Sequence, residues 1–281
     1  MPTDDEIRDA QRATWARLSP SWDKWDALIM EQLRPAGDAI VESLDVHDEQ
    51  HHLDVAAGTG EPGLSVARLA PNGRVVLTDL SPEMLHVASR RAVEQGLTNV
   101  ETVVCSGDEL PFGDATFDSV SVRFGYMFFP DMAAATAEFA RVLKPGGRLA
   151  ATVWIDPDAN PWTSVPMDAI SAEVALPSTD PDRPHMFRCA APGFISRLYD
   201  DAGLGDVREW DVDVELVTQS AEQFWEMICD HVSLVTAALG QVDAEARDRI
   251  RADVVTRVQA FERDGAFRVP GRARCIAGAK R

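Results

Sequence analysis

The 281-residue chain has only three lysines, Lys24, Lys144 and Lys280, and its 46 acidic against 27 basic residues leave a net charge of -19. A surface of that sign repels nucleic-acid phosphate, whose capture needs basic patches and release of condensed cations, so DNA and RNA are not expected as partners. Cysteine is scarce too. Cys105, Cys189, Cys229 and Cys275 are far apart, with no C-x-x-C pair and no His/Cys cluster, which argues against a disulfide framework and a zinc site. No metal is expected. No apolar run approaches the ~20 residues of a bilayer span. The start, MPTDDEIRDAQR, is acidic where a secretory signal is basic and then apolar, so the expected location is cytoplasmic.

What is present is an ordinary globular composition, 45% hydrophobic, enough for one sizeable core. From residue 50 to 155 apolar strands alternate with helical periodicity, the pattern of a mainly parallel sheet covered on both faces. Strands are expected over 52–56, 74–78, 99–104, 117–124 and 148–155. Helices are expected over 61–69, from the cap Ser81 to the stop Gly96, and over 132–143, where Lys144-Pro145-Gly146-Gly147 turns the chain. Beyond residue 155 come a Pro-rich excursion, DPDANPWTSVP, a short helix and a second loop, LPSTDPDRPHMF. A helix over 191–202, a strand over 207–217, helices near 220–239 and 243–264 and a last strand over 273–279 complete the pattern. The first 45 residues also read as helical.

The segment HLDVAAGTGEPG contains a literal G-x-G-x-x-G. In a dinucleotide oxidoreductase, Gly58, Gly60 and Gly63 would bring amides to a pyrophosphate and Asp79 would take a ribose hydroxyl. Asp54 before the loop and Glu61 within it oppose that reading, because both place negative charge near the anion. They favour a cationic ligand that still carries a ribose.

Four segments in order, LDVAAGTGEPG, VVLTDLSPEML, ELPFGDATFDSVSVRFGYMFFPD and EFARVLKPGGRLAATVW, resemble the class I S-adenosylmethionine-dependent methyltransferases. Within them the chain is similar to the bacterial small-molecule group related to the ubiquinone and menaquinone biosynthesis C-methyltransferases. The resemblance spans residues 52–155. It implies an α/β fold, a doubly wound, seven-stranded, mostly parallel Rossmann-like sheet with its last strand antiparallel and added helical caps. The division it implies is an N-terminal helical lid (1–45), a cofactor-binding core (46–156), an excursion (157–190), a core continuation (191–217), a helical cap (218–268) and the last strand (269–281).

By the same resemblance the cofactor is S-adenosylmethionine. Asp54, Ala56, Gly58 and Gly60 shape the pocket for its methionine part, Asp79 holds the ribose, and Leu80 and Met84 pack on the adenine. The family's Asp-Ala pair at the adenine edge is replaced here by Ser106 and Gly107, followed by Asp108, so any of these three is a candidate contact. Arg123 either lines the methionine pocket or packs against a helix. His185 and His231, outside the sheet, are candidate general bases or simply packed histidines. The aromatic and Met-rich set around Trp22, Trp25, Tyr126 to Phe129, Trp162, Met167, Met186, Phe187 and residues 224–227 is either core or a cap over the acceptor. The expected activity is methyl transfer to an O, N or C nucleophile of a small, hydrophobic or aromatic metabolite. A nicotinamide oxidoreductase and a non-catalytic S-adenosylmethionine sensor are the alternatives.

Overall fold

The computed structural model describes residues 2–175, 180 and 183–281; part of the LPSTDPDRPHMF loop lies outside them. Two helices come first, α1 (Asp4–Lys24) and α2 (Asp26–Leu44). Then β1 (His51–Val55), α3 (Gly63–Leu69), β2 (Arg74–Asp79), α4 (Pro82–Glu94), β3 (Val100–Val104), β4 (Phe117–Arg123), α5 (Met132–Val142) and β5 (Leu143–Trp154) alternate as expected. The second half comprises α6 (Pro161–Ser171), α7 (Phe194–Asp201), β6 (Leu204–Thr218), α8 (Ala221–His231), α9 (Ser233–Leu239), α10 (Ala244–Val258), β7 (Glu262–Arg263) and β8 (Ala266–Lys280).

One sheet runs through the molecule in the order β3-β2-β1-β4-β5-β8-β6, with β7 paired to β8 off this path. The strands from β3 to β5 are parallel, and β8 is antiparallel to both β5 and β6. The doubly wound plan and the antiparallel last strand are as expected. The strand count is not: the sheet has eight strands instead of seven. The extra one arises where residues 259–264 were expected to continue a helix. Asp264 and Gly265 both take positive φ, 54° and 78°, the conformation of a two-residue hairpin turn that Asp-Gly favours. They fold β7 back on β8, which therefore begins at residue 266 and not 273.

Other boundaries moved for local reasons. Leu143 already pairs with Phe117, and four residues loop out before Arg148 pairs with Ser119, so Lys144-Pro145-Gly146-Gly147 is a bulge inside β5. The stretch over 220–239 is interrupted at Val232, whose extended backbone separates α8 from α9. The N-terminal segment also divides. α1 leans on α4 and α8, whereas α2 covers the sheet at β4, β5, β6 and β8, burying Ile29, Leu33, Ala36 and Ile40 at helical spacing. Among the described residues no helix is long and apolar enough to cross a membrane.

Strands β1 and β4 are joined by a buried polar chain as well as by their backbone ladder. Gln50 Nε2 donates to Ser119 Oγ; His52 reaches Ser119 at 2.7 Å through Nδ1 and Ser121 at 2.9 Å through Nε2; Ser121 donates to Asp54 at 2.5 Å. Burial pushes His52 down to about 3 against the pull of Ser119, and pushes Asp54 up to about 7 against Ser121 and the Gly63 amide. Both groups are therefore held neutral through the mildly acidic range.

The two have opposite linkage to folding. Unfolded His52 binds a proton below its ordinary value of 6.5 while the folded side chain does not until about 3, so its contribution is full above 6.5 and lost as pH falls. Unfolded Asp54 ionises near 3.8 and the folded group near 7, so its contribution is full below 3.8 and lost as pH rises. Between those limits they cancel. In His52→Gln the Asp54 effect stands alone. From pH 4.5 to 6.5 the stability of the unsubstituted protein relative to this variant should rise by about 2 kcal/mol, one pKa unit being about 1.4 kcal/mol. Urea unfolding of both across that range measures it; a pH-independent difference would contradict a neutral His52.

Candidate functional site

The strand order reverses between β1 and β4, and open sheets of this kind bind ligands beyond the carboxyl ends of the strands at that point. A cavity of about 1260 Å³ of non-protein space, its open mouth included, occupies the position. Ala56, Ala57, Gly58, Thr59 and Glu61 enter it after β1, Asp79, Leu80 and Met84 after β2, Cys105 and Gly107 after β3, and Arg123, Phe124 and Gly125 after β4. α1 roofs it with Gln11, Trp15, Leu18 and Trp22, and α2 contributes Gln32 and Leu33.

The chain turns sharply where β1 and β4 end. Ala56 and Phe124 both have positive φ, 53° and 57°, which is costly for residues with a side chain and concentrates at functional sites. The two turns nearly touch, since a Cβ at Gly125 would lie 2.7 Å from that of Ala56. Position 125 therefore admits only glycine. Gly58, at φ 53° with open space where its Cβ would be, supplies the next left-handed residue.

The loop amides are already in use. Gly58 donates to Asp79 Oδ2 and Gly63 to Asp54 Oδ2, each at 2.9 Å; Ser65 donates to Glu61 Oε2 at 3.1 Å. Ala57, Gly60 and Leu64 donate to the carbonyls of Thr78, Ala57 and Gly60. A diphosphate needs free amides at this turn, and those of Ala57, Gly58, Gly60 and Gly63 are given to carbonyls and carboxyl groups. This disfavours a dinucleotide at the glycine pattern. Asp54 does not face the cavity: its carboxyl group lies fully buried beneath the loop and anchors the N-terminus of α3. α3 accordingly begins at Gly63, two residues later than expected.

Of the residues expected at the cofactor, Ala56, Gly58, Asp79, Leu80, Met84, Gly107 and Arg123 line the cavity. Asp54, Gly60, Ser106 and Asp108 do not. Gly60 supports the turn from behind, with Leu64 within 2.7 Å of where its Cβ would be. Ser106 donates to Asp108, and Asp108 pairs with Arg8 of α1 at 2.8 Å. Against the cost of burial, Arg8 and Ser106 hold the Asp108 carboxyl below its ordinary range, so it latches the lid and does not face the cavity.

Asp79 is buried and its pKa raised by burial, partly offset by the amides of Ser81, Gly58 and Leu80. Oδ1 takes the Ser81 amide and Oδ2 the Gly58 amide, and with two lone pairs on each oxygen the carboxyl group keeps accepting capacity toward the cavity. Arg123 is lowered by burial, offset by Glu61, Asp54 and Asp26, and is the cationic side chain of the cavity wall.

At the far end the lining becomes aromatic. Trp15 meets Phe128 edge-on at 5.1 Å and Trp22 at 6.3 Å, and Trp22 lies 4.5 Å from the His231 ring; opposite, Phe124 stacks on Trp154 at 4.2 Å. Trp162 and Met186 from the excursion and His231, Val232 and Ser233 from the α8–α9 break close this end. The other aromatic candidates belong to the core: Trp25, Tyr126, Met127, Phe224, Trp225 and Met227 are buried away from the cavity. His185 is not in the wall either; its Nδ1 accepts from the Phe187 amide at 3.3 Å. Among the described residues, four buried polar atoms of cavity residues have no partner: Trp22 Nε1, Gln32 Nε2, Thr59 Oγ1 and His231 Nδ1. Such atoms are rare in folded proteins, and a ligand or an ordered water completes their bonding. Gln32 and Thr59 were not anticipated. The signal for Gln32 was there, an amide on the apolar stripe of α2.

A model of the ubiE/COQ5 methyltransferase family matches residues 14–174. The nocamycin O-methyltransferase of Saccharothrix syringae is 32% identical over 211 residues, 70% of this chain and 74% of that one. The demethylmenaquinone methyltransferase of Listeria monocytogenes serotype 4a (strain HCC23) is 34% identical over 151 residues, 53% of this chain; the match spans 64% of the Listeria protein. The phosphoethanolamine N-methyltransferase 2 of Haemonchus contortus, solved with S-adenosylhomocysteine, has the same fold, with TM-score 0.58 and 17% identity over 100% of this chain and 60% of that one.

The lid latch gives a test. Arg8→Ala leaves the Asp108 carboxylate buried without its cation, and the expected loss is about 2 kcal/mol of stability, read as a lower urea midpoint. An unchanged midpoint would mean that α1 is not fastened there in solution.

Proposed function

The chain belongs to the ubiE/COQ5 methyltransferase family, and from that premise we propose that it methylates a small, flat, largely apolar acceptor at the aromatic end of the cavity. It is an S-adenosylmethionine-dependent enzyme, and the alternatives of a nicotinamide oxidoreductase and a non-catalytic sensor are not favoured. The observation that carries the reading is the internal use of the loop amides by Asp54, Asp79 and Glu61. It leaves a turn with few amides to offer a diphosphate and room for a cationic sulfur nucleoside.

The residues fit that cofactor. Asp79 would accept from the ribose hydroxyls, and Leu80 and Met84 offer an apolar wall to the adenine. Gln32 Nε2 and Arg123 would donate to the methionine carboxylate, and Thr59 Oγ1 would accept from its ammonium. When bound, S-adenosylmethionine supplies a methyl group on a sulfonium that is already a good leaving group. The chain's own work is then to align the acceptor and keep water out, which the α1 roof and the Trp15, Trp22, Phe124 and Trp154 rings are placed to do. Relatives named for nocamycin and for demethylmenaquinone support a small-molecule acceptor. The four free thiols are consistent with a cytoplasmic location.

Calorimetric titration tests this. S-adenosylmethionine and S-adenosylhomocysteine should bind and NADH should not. Asp79→Ala should weaken both by about 1 to 3 kcal/mol, since it removes a buried acceptor and frees the Gly58 amide. Tight NADH binding, or an affinity indifferent to Asp79, would overturn the assignment.

A further inference from the structure

Trp22 Nε1 and His231 Nδ1 are both buried, both without a hydrogen-bond partner, and sit on rings whose centroids are 4.5 Å apart in the cavity wall. Trp22 Nε1 is a fixed donor, and His231 Nδ1 is an acceptor in the neutral tautomer that carries its proton on Nε2. A donor beside an acceptor complements a hydroxyl, whose oxygen takes the indole hydrogen while its own hydrogen goes to the imidazole. An ammonium brings donors only and leaves Trp22 unsatisfied; a carbonyl or carboxylate brings acceptors only and leaves His231 unsatisfied; a hydrocarbon satisfies neither. The wall of the same cavity is aromatic, with Trp15 against Phe128 and Phe124 stacked on Trp154, a surface that favours a ring.

We propose that the acceptor is a phenol or enol on a flat, uncharged ring system, that its hydroxyl is seated between Trp22 and His231, and that His231 is the base for its methylation on oxygen. This rests on the methyltransferase reading above and narrows it. The hydroxyl proton passes to His231 Nδ1 as the oxygen forms its bond to the methyl carbon; the sulfur–methyl bond breaks with its electron pair left on sulfur, giving the methyl ether and S-adenosylhomocysteine. Burial lowers His231 to about 4, which keeps the ring neutral and able to accept at ordinary pH. The neighbouring Asp230 does not compete, being bound to Lys24 and to Trp25 Nε1. The break at Val232 ends α8 on His231 and so brings this ring, and none of its helical neighbours, to the cavity.

The test compares three probes of one shape on the full chain saturated with S-adenosylhomocysteine: 1-naphthol, 1-naphthylamine and 1-methylnaphthalene, titrated calorimetrically. 1-Naphthol should bind about tenfold or more tighter than the other two, the effect of one well-made buried hydrogen bond. In Trp22→Phe, which keeps a ring and loses the donor, its advantage over 1-methylnaphthalene should fall to about threefold or less. With S-adenosylmethionine present, His231→Gln should lower kcat for 1-naphthol methylation by about a hundredfold or more and leave KM nearly unchanged. Equal binding of the probes, preference for the amine, no binding of 1-naphthol, or no methyl transfer to it once bound would each overturn the proposal. All four leave the methyltransferase reading standing if S-adenosylhomocysteine still binds. Failure of S-adenosylhomocysteine itself to bind would remove that reading. Should either variant not fold, the ranking on the unsubstituted protein decides.

Discussion

Two buried carboxylates govern this site. Asp54 and Asp79 stand at the ends of adjacent strands and spend an oxygen each on the amides of the intervening turn, Gly63 and Gly58. The turn is thereby fixed from below, and the Gly58 and Gly63 amides are withdrawn from any anion. What remains exposed to the cavity is the accepting capacity of Asp79, the open space beside Gly58 and the apolar faces of Leu80 and Met84. The same glycine spacing serves a diphosphate elsewhere only because the amides there are unclaimed. Ligand class thus follows from what the neighbouring side chains do to the loop, not from its glycines.

The carboxylates hold that position because the strands beneath them are locked. The chain from Gln50 through Ser119, His52 and Ser121 to Asp54 ties β1 to β4 with buried polar atoms that satisfy one another. A network of this kind is stable only when complete, and it ends on the atom that anchors the loop. The lid is fastened by ionic contacts at its edges. Arg8 pairs with Asp108, Asp23 with Arg90, and Lys24 and Trp25 meet Asp230. None of these charged side chains lines the cavity.

Most of the sheet was legible in the sequence because both-face burial writes an unmistakable alternation over residues 50–155, and helix signals such as Ser81 and Gly96 acted locally as expected. The hairpin at Asp264-Gly265 was also written plainly, in a dipeptide passed over in favour of helical periodicity. The bulge at Lys144 to Gly147 was not, because a turn and a bulge share the same residues and only the pairing of Leu143 with Phe117 distinguishes them. Motif spacing located Gly58, Asp79, Leu80 and Met84 in the cavity wall. It does not separate a residue of the wall from one behind it: Asp54, Gly60, Ser106 and Asp108 lie outside the lining, and the partners of Asp54 and Asp108, Gly63 across the loop and Arg8 a hundred residues away in the chain, are set by tertiary contact. Gln32, Thr59 and the Trp22–His231 pair became visible only as buried atoms lacking partners, a property that belongs to the packed molecule.

A crystal structure of the chain with S-adenosylhomocysteine tests the central claim most directly. The result expected is both ribose hydroxyls on Asp79, the Gly58 and Gly63 amides still on their carboxylates, and the sulfur turned toward Trp22 and His231. A ligand whose anionic end displaces either carboxylate from the loop amides, or whose ribose lies away from Asp79, would contradict it.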